Sequence, residues 1–158
     1  MNFGEYEKIR NLERTYWWHV GRRFIIRTVL EKYFKFPKSS SLILDLGCGT
    51  GGNSEVLKNF GKVIGLDDSK EALRFAKEEG YSELVMGSGT NLPFSNNKFD
   101  CIAMLDVLEH IEDDRSALQE CYNVLSPDGR LILTVPAYNW LWSGHDEYFK
   151  NPLLKHIS

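Results

Sequence analysis

No other stretch limits the fold of this chain as tightly as residues 42–52, Leu-Ile-Leu-Asp-Leu-Gly-Cys-Gly-Thr-Gly-Gly. Leu42 to Leu46 form a short apolar run, the pattern of a strand buried on both faces of a parallel sheet. Glycines at 47, 49, 51 and 52 follow at once, and Asn53 to Phe60 read as a helix. Lacking Cβ atoms, such a loop turns tightly and lets a ligand approach its backbone. The helix N-terminus behind it offers unpaired N–H groups and a partial positive charge, which suit a phosphate or a carboxylate.

Two cofactor classes use a loop of this kind. Gly47, Gly49 and Gly52 satisfy G-x-G-x-x-G, and Asp67 lies 20 positions after Gly47. Both features fit the dinucleotide fingerprint of nicotinamide and flavin sites. Asp45 opposes that reading, because a carboxylate two residues before the first glycine repels a pyrophosphate laid on the loop. It suits a ligand carrying an ammonium group. A glycine turn with a purely structural role is the plain alternative.

The run Leu-Asp-Leu-Gly-Cys-Gly-Thr-Gly resembles motif I of the class I S-adenosylmethionine-dependent methyltransferases. The resemblance implies that Asp45, Gly47, Cys48, Gly49, Thr50 and Gly51 hold the methionine part of that cofactor, whose spent form is S-adenosylhomocysteine. A second segment, Phe-Asp-Cys-Ile-Ala-Met-Leu-Asp-Val-Leu-Glu-His-Ile at 99–111, resembles the family's passage from strand four into the substrate side of the pocket. By that resemblance the backbone at Leu105 and the carboxylate of Asp106 lie where the methionine ammonium is held. Glu109 and His110 stand toward the acceptor. Histidine's pKa near neutrality suits a general base, although a structural histidine is an equal reading of His110.

The rest of the chain reads in order. Residues 4–34 are helical in two pieces, the first with an apolar face of Tyr6, Ile9, Leu12 and Tyr16, the second with Ile26, Val29, Leu30 and Tyr33. Between them, Tyr16-Trp17-Trp18-His19-Val20-Gly21-Arg22-Arg23 either packs the helices onto the sheet or forms a lid. A W-W followed by G-R-R resembles the N-terminal segment of one branch of the family, and Arg22 or Arg23 then approaches a cofactor carboxylate. Pro37 to Ser41 form a polar linker. Lys62 to Leu66 form a strand that ends at Asp67-Asp68, where a carboxylate reaches ribose hydroxyls. Asp68 is a second ribose candidate, or the cap of a helix from Ser69 to Glu79 that Gly80 ends.

Glu83 to Met86 give a third strand. Ser88 stands where relatives often carry an acid for the adenine amino group, so Ser88, Gly89 and Leu92 are the adenine candidates. Lys98 to Leu105 form the fourth strand. Asp113 and Asp114 cap a helix from Arg115, with Leu118, Cys121, Tyr122 and Leu125 inward. Ser126 to Gly129 make a turn, and Arg130 to Val135 a fifth strand.

Strands alternating with helices imply an α/β, doubly wound, mostly parallel Rossmann-like sheet of about five strands with N-terminal helices. The family's usual C-terminal antiparallel pair is not evident. The 158 residues read as one domain, with a helical lid at 1–41, a core at 42–135 and an aromatic tail at 136–158. The tail offers His145 as a third candidate base, while Trp140 and Trp142 pack against the domain, a partner or an acceptor. An uncovered sheet edge and exposed tail aromatics favour a homodimer; a shortened enzyme is the rival account.

Composition narrows the function. Hydrophobic residues make up 42% and charged residues 26%, ordinary for a globular domain. A net charge of −3 gives no basic field for nucleic acid. Three widely spaced cysteines, at 48, 101 and 121, argue against a disulfide framework or a zinc site. No leader or membrane span is evident, so a cytoplasmic protein is expected. The expectation is a methyltransferase with a small-molecule acceptor. A cofactor-binding module acting through a partner and a nicotinamide-dependent oxidoreductase are its rivals.

Overall fold

A computed structural model describes residues 3–135 apart from 36, 38 and 39. The chain starts with α1 (Phe3–Thr15) and α2 (Trp17–Tyr33), broken at Tyr16, whose backbone is extended. Then come β1 (Leu42–Leu46), α3 (Ser54–Leu57), β2 (Lys62–Asp67), α4 (Lys70–Ala76), β3 (Glu83–Met86), β4 (Phe99–Leu105), α5 (Asp114–Val124) and β5 (Leu125–Thr134). Short 3-10 turns at Lys77–Glu79 and Leu108–His110 complete the order.

The five strands form one parallel sheet in the order β3-β2-β1-β4-β5. The chain winds outward from β1 to β3, then returns past β1 to start β4. That reversal leaves a crevice at the carboxyl ends of β1 and β4, where doubly wound sheets bind their ligands.

Side chains alternate across the sheet, as a period of two requires. Leu44, Leu46, Ile64, Leu66, Ile102 and Met104 pack on one face with Ala117, Cys121 and Val124 of α5. Ile43, Val63, Cys101, Ala103 and Leu105 pack on the other with Ile26 and Leu30 of α2 and Leu57 of α3. All three cysteines are buried thiols outside any disulfide, Cys101 and Cys121 within these cores.

Several local expectations are corrected. The helix after the glycine loop has four residues rather than the eight expected from Asn53 to Phe60, because the chain tightens into i→i+3 bonds from Asn59 N to Val56 O and from Phe60 N to Leu57 O. The cap of α4 is Ser69, whose hydroxyl accepts from Ala72 N at 3.3 Å, and not Asp68. Gly80, with φ +75°, ends that segment as expected. Leu12, Tyr16, Tyr33, Leu118 and Tyr122 are exposed. In α5 the buried line is Ala117, Cys121 and Val124, a narrower stripe that leaves Leu118 and Tyr122 on its solvent side.

The expected turn at Ser126 to Gly129 lies inside β5. Phe99 pairs with Leu125 and Cys101 with Arg130, so four residues bulge opposite one. The aromatic tail lies outside the described residues, and no helix among the described residues is long and apolar enough to cross a membrane.

Ile102 is fully buried at the centre of β4. Truncation to Ala leaves a cavity between sheet and α5 and is expected to lower unfolding stability by about 2–5 kcal/mol in urea titration.

Candidate functional site

The glycine loop is fastened to the end of β2. Gly47 N and Cys48 N both donate to Leu66 O, at 2.8 and 3.0 Å. Gly49 N donates to Asp67 Oδ2 at 2.9 Å, and Ser69 N to Asp67 Oδ1 at 2.9 Å. The backbone N–H of Asp68 also favours this carboxylate's charged form, which leaves about one acceptor position free. Gly47 has φ +73°, and a Cβ there would stand 2.5 Å from Val107 Cγ2. Above Gly49, with φ +54°, a Cβ would meet nothing within 4 Å. The loop is thus closed against the protein at Gly47 and open to a ligand at Gly49.

Asp45 does not face that opening. It is 1% exposed, beneath the loop, and accepts a 2.6 Å hydrogen bond from the Tyr81 hydroxyl. Burial lifts its carboxyl from 3.8 to about 7. Its place near the end of a strand buried from Ile43 to Leu46 hides it, so it shapes the loop from below instead of meeting an ammonium directly. Cys48 is also buried, its thiol pushed up by burial. Burial likewise raises Asp67, against the loop N–H groups that favour its charged form.

The two N-terminal helices reach over this site. Arg22 of α2 pairs with Asp106 Oδ2 just beyond β4. Thr134 Oγ1 donates to Asp106 Oδ1 at 2.7 Å, so both oxygens of that carboxylate are engaged. Asp106 itself has φ +57°. The buried Nε of Arg22 has no hydrogen-bond partner among the described residues. From α1, Glu13 accepts from the Thr50 hydroxyl, and Arg23 donates to the Glu13 carbonyl at 2.5 Å. Glu13, Arg23, Thr50, Gly51 and Gly52 line part of a cavity of about 330 Å³ between α1 and the loop.

The remaining candidates are spread around the opening. Ser88 is exposed, its hydroxyl 2.9 Å from that of Thr90. Gly89 lies against Ile111, and Leu92 is buried with its N–H donating to Glu120 Oε2 at 2.8 Å. Asp68 is exposed beside Asp67, and Leu105 is buried at the end of β4. Glu109 is buried, whereas its neighbour His110 is exposed. His145 lies outside the described residues. The sequence reading missed Glu13, Thr134 and Tyr81, which carry no motif and reach the site only through tertiary packing. Among the described residues no acidic, histidine and cysteine cluster could hold a metal.

Residues 44–133 match a protein family described as the methyltransferase domain. The demethylmenaquinone methyltransferase of Staphylococcus epidermidis is 30% identical over 160 residues, covering 92% of this chain and 63% of that protein. The chain spans 42% to 63% of the length of three curated relatives it matches. Among solved structures, a Methanococcus maripaludis protein superposes with a TM-score of 0.72 at 19% identity, covering 82% of this chain and 62% of that one. A SAM-dependent methyltransferase from Archaeoglobus fulgidus superposes at 0.56 with 22% identity, covering 72% and 53%. These two likenesses establish the fold.

The buried carboxyls set a pH dependence. An aspartate in the unfolded chain titrates near 4, and Asp45 in the folded chain at about 7. Between those values the folded state binds the extra proton, so stability falls as pH rises through the window. Glu13 and Asp67, also raised by burial, act with the same sign. Denaturant titration from pH 4 to 7 is expected to show this decline, and a flatter profile in Asp45→Asn.

Proposed function

Because the chain belongs to the methyltransferase-domain family, we propose that it transfers a methyl group from S-adenosylmethionine to a small-molecule acceptor. The observation that carries this reading is the open backbone at Gly49, with the Asp67 carboxylate at the end of β2 on one hand and, near the end of β4, the Arg22 Nε that has no hydrogen-bond partner among the described residues on the other. A nucleoside with an amino-acid tail would present its hydroxyls to the first of these groups and its carboxylate to the second. Asp67 keeps an acceptor position for a ribose hydroxyl. Arg22 Nε donates to the carboxylate while its Nη1 stays on Asp106. Ser88 offers a hydroxyl to the adenine in place of a charge.

Bound S-adenosylmethionine supplies a methyl group already activated on a sulfonium. What this chain adds is orientation and exclusion of water, which alone supply much of the acceleration of a displacement. Gly47 to Gly51 fix the near side of the pocket, and the α1–α2 arm covers it. His110, exposed beyond β4, is the candidate to take a proton from an acceptor that must lose one; buried Glu109 supports that turn. The name of the Staphylococcus epidermidis relative makes demethylated quinols the first acceptors to test. The net charge of −3 disfavours nucleic acid. A second copy pairing along the outer edge of β5 belongs to the same proposal, and a monomeric mass at micromolar concentration would remove it.

Calorimetric titration of the chain with S-adenosylmethionine is expected to show binding that Asp67→Ala weakens by at least about tenfold, as the loss of a charged hydrogen-bond acceptor implies. Transfer of a radiolabelled methyl group to an acceptor panel tests the chemistry; binding without transfer to any acceptor would reduce the chain to a cofactor-binding module.

A further inference from the structure

We propose that the solvent-facing side of α2 docks on an anionic lipid surface, its aromatic half in the interface and its cationic half on the headgroups. Trp17, Val20 and Phe24 follow one another at spacings of three and four, and Trp18 and Ile25 lie seven apart in the row beside them. All five are exposed, Trp17 to 70% and Phe24 to 71%. The opposite side of the helix is already apolar, with Ile26 and Leu30 in the sheet core. Arg22 and Arg23, in the same half, are engaged with Asp106 and the Glu13 carbonyl. A helix that faces water carries polar groups opposite its core-facing stripe, whereas one apolar on both sides calls for cover on both. The first half of α2 is of the second kind.

Charge selects the occupant. Of the chain's 19 Lys and Arg, five lie in residues 17–35; of its 22 Asp and Glu, Glu31 alone does. The remainder, with 14 cationic and 21 acidic side chains, is acidic, so the net charge of −3 conceals a cationic helix on an acidic body. Arg27 follows Phe24 by three positions and Lys32 follows Ile25 by seven, so exposed cations continue the apolar rows. Glu31 accepts from Arg27 Nε at 2.9 Å, and its carbonyl from Lys35 Nζ at 3.2 Å, which leaves one carboxylate among three cations. Headgroup phosphates supply the anions that this half lacks. Tryptophan, with an apolar body and one N–H, suits the boundary between headgroups and acyl chains. No described helix is long and apolar enough to cross a bilayer, so α2 lies along the surface. A second copy fits less well, because a two-fold axis presents the same face with the same excess of cations. The inference depends on neither the cofactor nor the acceptor.

Cosedimentation of the full chain with two kinds of vesicle tests this, one of phosphatidylcholine alone and one of phosphatidylcholine and phosphatidylglycerol in equal parts. Binding to the mixed vesicles is expected to be at least about tenfold tighter, and to weaken as added salt screens the charges. Two variants separate the halves of the face. Phe24→Ser with Ile25→Ser removes apolar area and is expected to weaken binding to mixed vesicles at least about tenfold. Arg27→Gln with Lys32→Gln and Lys35→Gln is expected to weaken it by a similar factor, at least about tenfold, and to flatten the salt dependence. If one variant fails to fold, the other and the comparison of vesicles with unaltered protein still decide. The proposal is overturned if the unaltered chain binds neither vesicle or binds both equally, or if either folded variant binds as tightly as the parent. A dimer in sedimentation velocity that Phe24→Ser with Ile25→Ser dissociates would also overturn it, by giving the face to a second copy.

Discussion

The carbonyl of Leu66 and the carboxylate of Asp67 hold the working end of this molecule in place. Between them they accept from Gly47, Cys48, Gly49 and Ser69, so the loop after β1 is shaped by the strand beside it. This arrangement explains how a loop followed by a helix of only four residues keeps a defined form. The helix does not impose the geometry; the parallel pairing of β1 with β2 does, by bringing Asp45 opposite Gly65 and Leu46 opposite Leu66. Gly65 in turn has no room for a side chain, with Leu84 and the Cys48 sulfur against it.

The arm adds a second layer. Glu13 touches the loop after β1 and Arg22 the backbone turn after β4, so the junction between α1 and α2 crosses the crevice between those two strands. Tyr16, Trp17 and Trp18 lie at that crossing, with successive ring centroids 5.9 and 6.0 Å apart and all three rings substantially exposed. On the far side, Arg10 and Arg14 both pair with Glu79. The Arg14 side of this network is exposed and contributes about 0–1 kcal/mol, while the Arg10–Glu79 pair is half-buried. The firmer anchor is apolar, through Ile26 and Leu30 of α2 in the sheet core.

Much of the fold was legible because short apolar runs mark the strands and the glycines follow the first of them directly. The five parallel strands and the placing of Asp67 at a strand end follow from that pattern, and the two-helix start from apolar positions recurring at three and four. Helix faces were read less well. Periodicity marked Leu118 and Tyr122 as inward, but small residues form the contact line of α5 and larger ones flank it, a matter of how closely helix and sheet approach. In the site, motif residues were found and their exposure was not. Asp45 sits in a recognisable position, yet it is buried, and the hydroxyl it accepts from belongs to Tyr81, 36 positions away. Glu13 belongs to a polar helical face like many others, and only the fold carries it to Thr50.

Asp106 is a non-glycine residue with φ +57°, a conformation that costs an L-residue free energy although aspartate bears it better than most. The cost is tolerated because the side chain ties α2 to the strand end through Arg22 and Thr134. Glycine would relieve the backbone at this point and remove the tie between α2 and the end of β4. Local comfort and the tie between α2 and the strand end therefore pull in opposite directions at one position, and selection for thermal robustness alone would drift toward a protein that has lost that tie.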